Sequence, residues 1–161
     1  MFRDSIKFTL MTLLFIAIFS SSLYGKDKIY FLPNETKIVK QDIISLLENA
    51  NDKIDIAMYN FTYKKFNNAL KKASKNGVKI TIIYNKTKLK FNKKIELIKS
   101  KRKQHIKLAI IDDKYAIYGS ANWKKESFGE NYEIINITDD KKRVKEFIKI
   151  YKKLKEENHV K

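Results

Sequence analysis

The chain has 161 residues, enough for one domain with a hydrophobic core and too few for two ordinary ones. Apolar residues make up 43% of the sequence in short periodic runs, which excludes an intrinsically disordered chain although 33% of the residues are charged. Cysteine is absent, which excludes a disulfide framework and a thiolate metal site. The formal charge of +17 favours a polyanionic partner, with a lysine-biased genome as the alternative explanation.

Residues 1–25 have the layout of a secretory signal. Arg3 and Lys7 precede an apolar run, and small residues follow it up to Gly25. The run of about 12 apolar residues is shorter than the roughly 20 that span a bilayer. We therefore expect a signal peptide over residues 1–25 and a mature domain over residues 26–161, exported to the periplasm or cell envelope of a Gram-negative bacterium. A retained anchor, and with it membrane association, is the alternative.

The first half of the mature domain alternates between strand and helix. Pro33 ends the first strand, Thr62 is a candidate N-cap for the second helix, and Gly77 is placed to end that helix in the left-handed conformation. The predicted elements are strand 27–33, helix 37–50, strand 54–59, helix 62–77 and strand 78–84. This order predicts a single α/β domain with a parallel or mixed sheet flanked by helices.

A basic segment, residues 86–103, follows with nine Lys or Arg residues and one acid, Glu96. Such a run is usually a solvated surface, but its place directly before the next strand keeps a phosphate-binding role open. Within it, Lys93–Lys99 is predicted to form a short helix. The later predicted elements are strands 105–111, 115–118 and 132–138, and a final helix with a buried stripe at Val144, Phe147, Ile148, Tyr151 and Leu154.

Polar side chains begin and end the segment HIKLAIIDDKYAIYGSAN. Strand alternation places His105 and Lys107 on one face, with the imidazole and the ammonium roughly 6 to 7 Å apart. At the far end Gly119 permits close backbone approach, and the Ser120 hydroxyl and the Asn122 carboxamide can face one ligand. A nucleophile, a cation and neutral donors are the groups that phosphodiester chemistry needs.

The spacing of these residues resembles the HxK(x)4D(x)6GSxN signature of the phospholipase D superfamily, and in particular its short bacterial nucleases with one motif. The matching positions are His105, Lys107, Asp112, Gly119, Ser120 and Asn122. Further likeness at 56–62 and 69–78 extends the resemblance over about residues 28–157. The resemblance implies a phospholipase D-like α/β sandwich and a phosphodiesterase.

The resemblance also implies the chemical roles. His105 attacks phosphorus to give a phosphohistidine that water hydrolyses, while Lys107 and Asn122 hold the non-bridging oxygens. Glu133 is similar to the acid that orients the imidazole through its other nitrogen, and Glu130 is the less favoured candidate for that role. Asp112 falls on the opposite strand face from the histidine, so we predict a structural role for it.

No cofactor or metal is expected. The competing interpretation, a metal ion held by Asp112, Asp113 and Glu133, lacks a second histidine or a clustered acid to complete the site. The chemistry that the resemblance implies uses two histidines, whereas this chain has one motif. His159 lies in the polar tail and has no partner lysine, so it cannot serve as the second. A homodimer with a twofold-symmetric interface would bring two copies of His105 into one cleft.

DNA is the predicted substrate because the domain is small and strongly basic; RNA remains open. Substrate contacts are predicted at Lys103, Gly119, Ser120 and Trp123. Single strands are favoured if aromatic side chains stack on bases, and the candidates are Tyr59, Phe61, Phe91 and Trp123. Two alternatives are a lipid phosphodiesterase and a binder of nucleic acid or of membrane surfaces that retains the fold without catalysis.

Overall fold

The computed structural model describes residues 26–158, so the predicted signal segment and His159 lie outside the described residues. Within that range no helix has the length and apolar character that crossing a membrane requires. The described elements, in chain order, are β1 (Asp27–Leu32), α1 (Thr36–Glu48), β2 (Lys53–Phe61), α2 (Lys64–Lys75), β3 (Lys79–Thr87), β4 (Glu96–Lys99), β5 (Lys107–Ile111), β6 (Tyr115–Gly119), α3 (Lys125–Gly129), β7 (Glu133–Thr138) and α4 (Lys141–Asn158).

The strands form one seven-stranded mixed sheet in the order β1-β7-β6-β5-β2-β3-β4. Strands β2, β3 and β4 are parallel to one another. The crossover between β2 and β3 is α2, and residues 88–95 connect β3 to β4. The other neighbours pair antiparallel. The predicted α/β fold with a mixed sheet and flanking helices is confirmed.

The two faces of the sheet are buried by different helices. Ala109 and Ile111 of β5 join the core beneath α1 and α2. Leu108 and Ile110 point the other way and pack in the core beneath α4. The central strand is therefore buried on both sides, which explains its unbroken apolar sequence.

Two local predictions are wrong. The predicted helix Lys93–Lys99 is instead a turn followed by β4, which pairs parallel with β3. A short apolar run fits either period, and the open edge of β3 decides in favour of a strand. Thr62 does not cap α2, because the N-cap position is Tyr63 and no side chain there accepts a capping hydrogen bond.

Two further local results concern the end of α2 and one additional short helix. Gly77 has φ +94° directly after α2, so the predicted left-handed glycine is confirmed. Helix α3 was not anticipated from the sequence. It has only five residues and packs through Phe128, which is fully buried.

Candidate functional site

One edge of the sheet gathers the motif residues. Strand β6 ends at Gly119, and β7 begins at Glu133 directly beside it. Strand β5 is antiparallel to both β2 and β6, so its first residue, Lys107, lies at the same edge as the end of β2. The chain folds the separated parts of the motif together because they stand at the ends of neighbouring strands.

His105 and Lys107 are in direct contact. Strand β5 begins at Lys107 rather than at the predicted His105, which is exposed in the preceding loop. The Nζ of Lys107 lies 3.0 Å from Nδ1 of His105 and donates to the His105 carbonyl oxygen at 2.8 Å. The predicted separation of 6 to 7 Å is wrong for these atoms, since the lysine side chain folds back along the strand.

Lys107 is a buried residue, with 7% of its surface exposed. Burial lowers the pKa of Lys107, and the carboxylate of Glu133 opposes that shift. An ammonium is a donor only, so its contact makes Nδ1 of His105 the acceptor and leaves the proton of the neutral ring on Nε2.

Tyr59 forms one wall of the site. Its ring centroid lies 5.0 Å from that of the His105 imidazole. Three ammonium groups surround the same ring: Lys86 at 5.5 Å, Lys107 at 5.9 Å and Lys103 at 6.0 Å from its centroid. Lys103, predicted to contact substrate, thus lies beside the Tyr59 ring, and its role stays a prediction. The spacing of the motif contained no signal for Lys86.

Asn122 is oriented by the end of β2. Its side-chain oxygen accepts a hydrogen bond from the backbone N–H of Asn60 at 3.1 Å. The carboxamide therefore presents its NH2 group as the remaining donor, as contact with a phosphate oxygen requires.

Gly119 ends β6 and Ser120 directly follows it, and both contact the start of β7. A Cβ atom at Gly119 would lie 2.0 Å from the carbonyl oxygen of Ile134, so the predicted close backbone approach is present and no larger residue fits. The backbone N–H of Ser120 donates to the same carbonyl at 3.0 Å. Its Oγ accepts from the backbone N–H of Ile134 at 3.0 Å and donates to Glu133.

The carboxylate of Glu133 does not hold the imidazole. It accepts hydrogen bonds from Ser120 Oγ and from Asn131 Nδ2 at 3.2 Å, which corrects the predicted contact with His105. Two causes act together: the serine hydroxyl stands directly across from it, and Lys107 occupies Nδ1 of the ring. Glu130, the less favoured alternative, is exposed at the end of α3.

Trp123 is not a substrate contact, which corrects that prediction. Only 2% of the residue is exposed, and its ring packs edge-on against Phe61 and Phe66. Its backbone carbonyl accepts from the N–H groups of Thr62 and Tyr63, both at 2.8 Å, which draws the residue into the core.

Of the other predicted stacking residues, two pack in or against the core and one lies at the site. Phe61 is fully buried, and Phe91 packs against it with ring centroids 5.4 Å apart. Of the four aromatic candidates, Tyr59 is the one in contact with the imidazole.

Asp112, for which we predict a structural role, contacts the backbone before β2. It follows β5 in the left-handed region, at φ +54°. Its carboxylate accepts hydrogen bonds from the backbone N–H groups of Asn51, Asp52 and Lys53 at 2.9 to 3.0 Å. Burial raises the pKa of Asp112, but these hydrogen bonds outweigh it and hold the pKa below its ordinary value. The carboxylate thereby ties the end of β5 to the start of β2.

Replacing Asp112 by asparagine is expected to lower the free energy of unfolding by about 1 to 3 kcal/mol, because three backbone N–H groups lose a charged acceptor. A lowered carboxyl pKa stabilises the fold above the unfolded value of about 3.9 and loses this contribution as pH falls through the folded pKa. The variant should therefore show a flatter decline in stability below about pH 4 than the parent chain. Urea unfolding between pH 2 and 7 measures both effects.

Asp113→Asn is the matched control, since the neighbouring carboxylate forms an ion pair with Lys53 and is 44% exposed. We expect the control to change stability by less than about 1 kcal/mol. Equal losses in the two variants would remove the proposed tie.

The arrangement does not support the metal hypothesis for Asp112, Asp113 and Glu133. The two aspartates follow the end of β5, whereas Glu133 begins β7, which runs in the same direction two strands away. They therefore lie at opposite edges of the sheet, about 17 Å apart for a five-residue strand. Among residues 26–158 no group of three or more potential metal-binding side chains occurs.

Comparison with known proteins agrees with this site. The family model described as cardiolipin synthase, PLD-like domain, matches residues 43–155. The solved structure of NucT from Helicobacter pylori shares 28% identity and a TM-score of 0.73, with 83% of this chain and 98% of that chain covered. No curated protein matches at a significant level.

Two more distant structures share the fold. Nuc from Salmonella typhimurium, a phospholipase D family member, has a TM-score of 0.71 at 20% identity, covering 84% of this chain and 97% of that chain. Polyphosphate kinase from Porphyromonas gingivalis has a TM-score of 0.64 at 15% identity, covering 80% of this chain and 26% of that chain. With a family model matched over most of its length and the motif assembled at one sheet edge, this chain belongs to the phospholipase D superfamily.

Proposed function

We propose that the chain is an exported endonuclease that hydrolyses phosphodiester bonds of DNA through a phosphohistidine, without a metal ion. The observation that carries the proposal is the contact between the exposed His105 imidazole and the Lys107 ammonium, 3.0 Å apart, at the sheet edge where Asn122 presents its amide. These are a nucleophile, a cation and a neutral donor. Export rests on the composition of residues 1–25.

The reaction begins with a change of partner by Lys107. Nε2 of His105 can attack phosphorus only when the ring proton is on Nδ1, so the ammonium must leave Nδ1. A non-bridging phosphate oxygen is the stronger acceptor and draws it away. Lys107 and Asn122 then stabilise the charge on the oxygens of the transition state.

Two displacements complete the hydrolysis. Attack by the neutral His105 of one subunit forms a P–N bond and breaks the P–O bond to the departing sugar oxygen, which takes a proton from the second subunit's histidine, present as the imidazolium. That second histidine then removes a proton from water, whose oxygen attacks phosphorus and breaks the P–N bond. Each histidine ends in its starting form, so no oxidant, reductant or metal is consumed.

The charge distribution favours a nucleic acid. The chain carries +17, and Lys86, Lys103 and Lys107 surround Tyr59 beside the nucleophile. The same ring is positioned to stack on an unpaired base, so we propose a preference for single strands over duplex. The name of the matching family model includes a lipid enzyme, which keeps a lipid phosphodiester as the second candidate.

The proposal is tested by turnover in excess chelator with four substrates: single-stranded DNA, duplex DNA, RNA and vesicles containing phosphatidylglycerol. We expect cleavage of DNA, faster for single strands, and a phosphorylated peptide containing His105 after acid-free quenching. Turnover of vesicles alone would support the lipid alternative, and DNA binding without turnover would support a non-catalytic binder.

We further propose that the second histidine comes from a second copy of this chain. Beside the site, β1 and β7 carry an uncovered apolar face: Ile29 is 67% exposed, Tyr132 is 81% exposed, and Phe31 stacks on Tyr132. Ile134 lies opposite Phe31 on the same face. Two strongly basic chains repel each other least where apolar surfaces meet. This apolar face adjoins Glu133, which contacts Ser120 of the motif. An isologous contact here would bring the two sites together.

Replacing Ile29 by lysine places two added charges close together in such a dimer. We expect the variant to sediment as a monomer and to lose about 100-fold or more in DNA cleavage, because one of two acid–base groups is then missing. Its thermal unfolding should remain that of a folded domain, since the side chain is exposed. Ile38→Lys, at 54% exposure on α1, is the matched control and should stay dimeric and active. A monomeric wild-type chain that cleaves at full rate would contradict the shared site.

A further inference from the structure

A second basic surface adjoins the candidate site. A cavity of about 770 Å³ opens beside the ends of β2 and β3, and four lysines line it with a single carboxylate, that of Glu126. We call it the four-lysine groove; its lysines are Lys86, Lys88, Lys99 and Lys124.

The groove is continuous with the site. Lys86 lies in both, since its ammonium is 5.5 Å from the centroid of the Tyr59 ring, which contacts His105. Asn60, another residue of the groove wall, orients Asn122 through its backbone N–H. A chain that leaves the nucleophile past Tyr59 therefore enters the groove.

The groove has a net positive charge, because four lysines face the single carboxylate of Glu126. No salt bridge joins Lys86, Lys88, Lys99 or Lys124 to a carboxylate in the part of the chain that the structure describes. Four neighbouring ammonium groups repel one another, and an anion with charges repeated along its length relieves that repulsion at several points at once.

The lining also distinguishes the class of polyanion. Besides the lysines, the groove is lined by the polar residues Asn60, Thr62, Asn85 and Thr87. A cationic groove with an aromatic ring, that of Tyr59, at its entrance is typical of surfaces that follow a single nucleic-acid strand.

We propose that the four-lysine groove binds the phosphates that flank the scissile phosphate on a single DNA strand, so that the enzyme selects a polymer over a short phosphodiester. This inference rests on the proposed function, because it names how that site holds its substrate. It also assigns part of the basic segment 86–103 to substrate binding: Lys86, Lys88 and Lys99 line the groove, whereas Lys101 and Arg102 line a different cavity.

The test compares a 20-nucleotide single strand with bis(4-nitrophenyl) phosphate, a diester too short to reach the groove. In the double variant Lys88→Gln, Lys99→Gln, we expect the ratio of kcat/KM for the strand to that for the short diester to fall about 10-fold or more. With His105→Asn added to prevent cleavage, the slope of log Kd against log salt should become shallower by about 1.4, or 0.7 for each lost phosphate contact. The matched control is Lys71→Gln, Lys75→Gln on α2, which removes the same charge and should change neither quantity.

An unchanged ratio together with an unchanged salt slope would overturn the groove while leaving the nuclease intact. If the wild-type chain cleaves neither substrate, the proposed function fails instead, and the salt slope of binding still decides whether the groove contacts phosphates. A loss of the same size in the control pair would show that net charge alone is responsible, and would also overturn the proposal.

Discussion

Replacing His105 by asparagine is expected to slow DNA cleavage about 10⁴-fold or more, because the variant has no group able to form the covalent intermediate. Asparagine keeps a polar side chain of similar reach. His105 is exposed, and its ring contacts the Tyr59 ring and Lys107 rather than core residues, so the core does not depend on it. We expect an unchanged unfolding temperature and unchanged DNA affinity. Single-turnover kinetics, together with binding measured by fluorescence anisotropy, separate the chemical step from association.

The phosphorylated peptide gives the decisive readout for this variant. It should be present after rapid quenching of the wild-type chain and missing from His105→Asn. Tyr59→Phe is the matched control, since it retains the ring beside the nucleophile. We expect the control to keep the intermediate and most of its rate. Cleavage by the asparagine variant at the wild-type rate would exclude the covalent mechanism and, with it, the proposed function.

The sequence predicted the position of the site because the motif stands at strand ends. Alternation along β5 predicts the directions of Lys107 and the residues after it. Gly119 indicates a close backbone contact, which the structure shows with Ile134. These two features depend on the strand period and on the missing side chain of glycine. A short stretch of sequence is enough to recognise either property.

Other features depend on contacts between distant segments, and the sequence did not reveal them. Trp123 was predicted to contact substrate, yet its backbone pairs with the end of β2 and its ring is packed in the core. Strand β4 forms because β3 offers an open edge. The contact between Lys107 and His105 depends on side-chain torsions, which a strand spacing measured at Cβ does not fix.

Removing the charge of Lys107 is expected to have the second-largest effect. We expect Lys107→Gln to lower kcat/KM for DNA about 10²- to 10³-fold, the usual cost of losing one preorganised group that stabilises transition-state charge. Lys107 as a residue is 7% exposed, so glutamine, which lacks a charge to bury, should not lower the free energy of unfolding. Lys103→Gln, which removes an exposed cation at the rim of the same ring, is the matched control and should cost about 10-fold or less.

The pH dependence distinguishes a catalytic cation from a merely structural one. Burial lowers the pKa of Lys107, so the free enzyme loses this proton below the ordinary lysine value of 10.5. Because the charged form is the active one, kcat/KM should fall as pH rises through that lowered pKa. A bound phosphate favours the charged form, so the corresponding fall in kcat should lie at higher pH. In Lys107→Arg the guanidinium stays charged, and the alkaline fall should disappear even if the rate is reduced. An alkaline fall that persists in the arginine variant would assign it to another group and remove Lys107 from the role of essential cation.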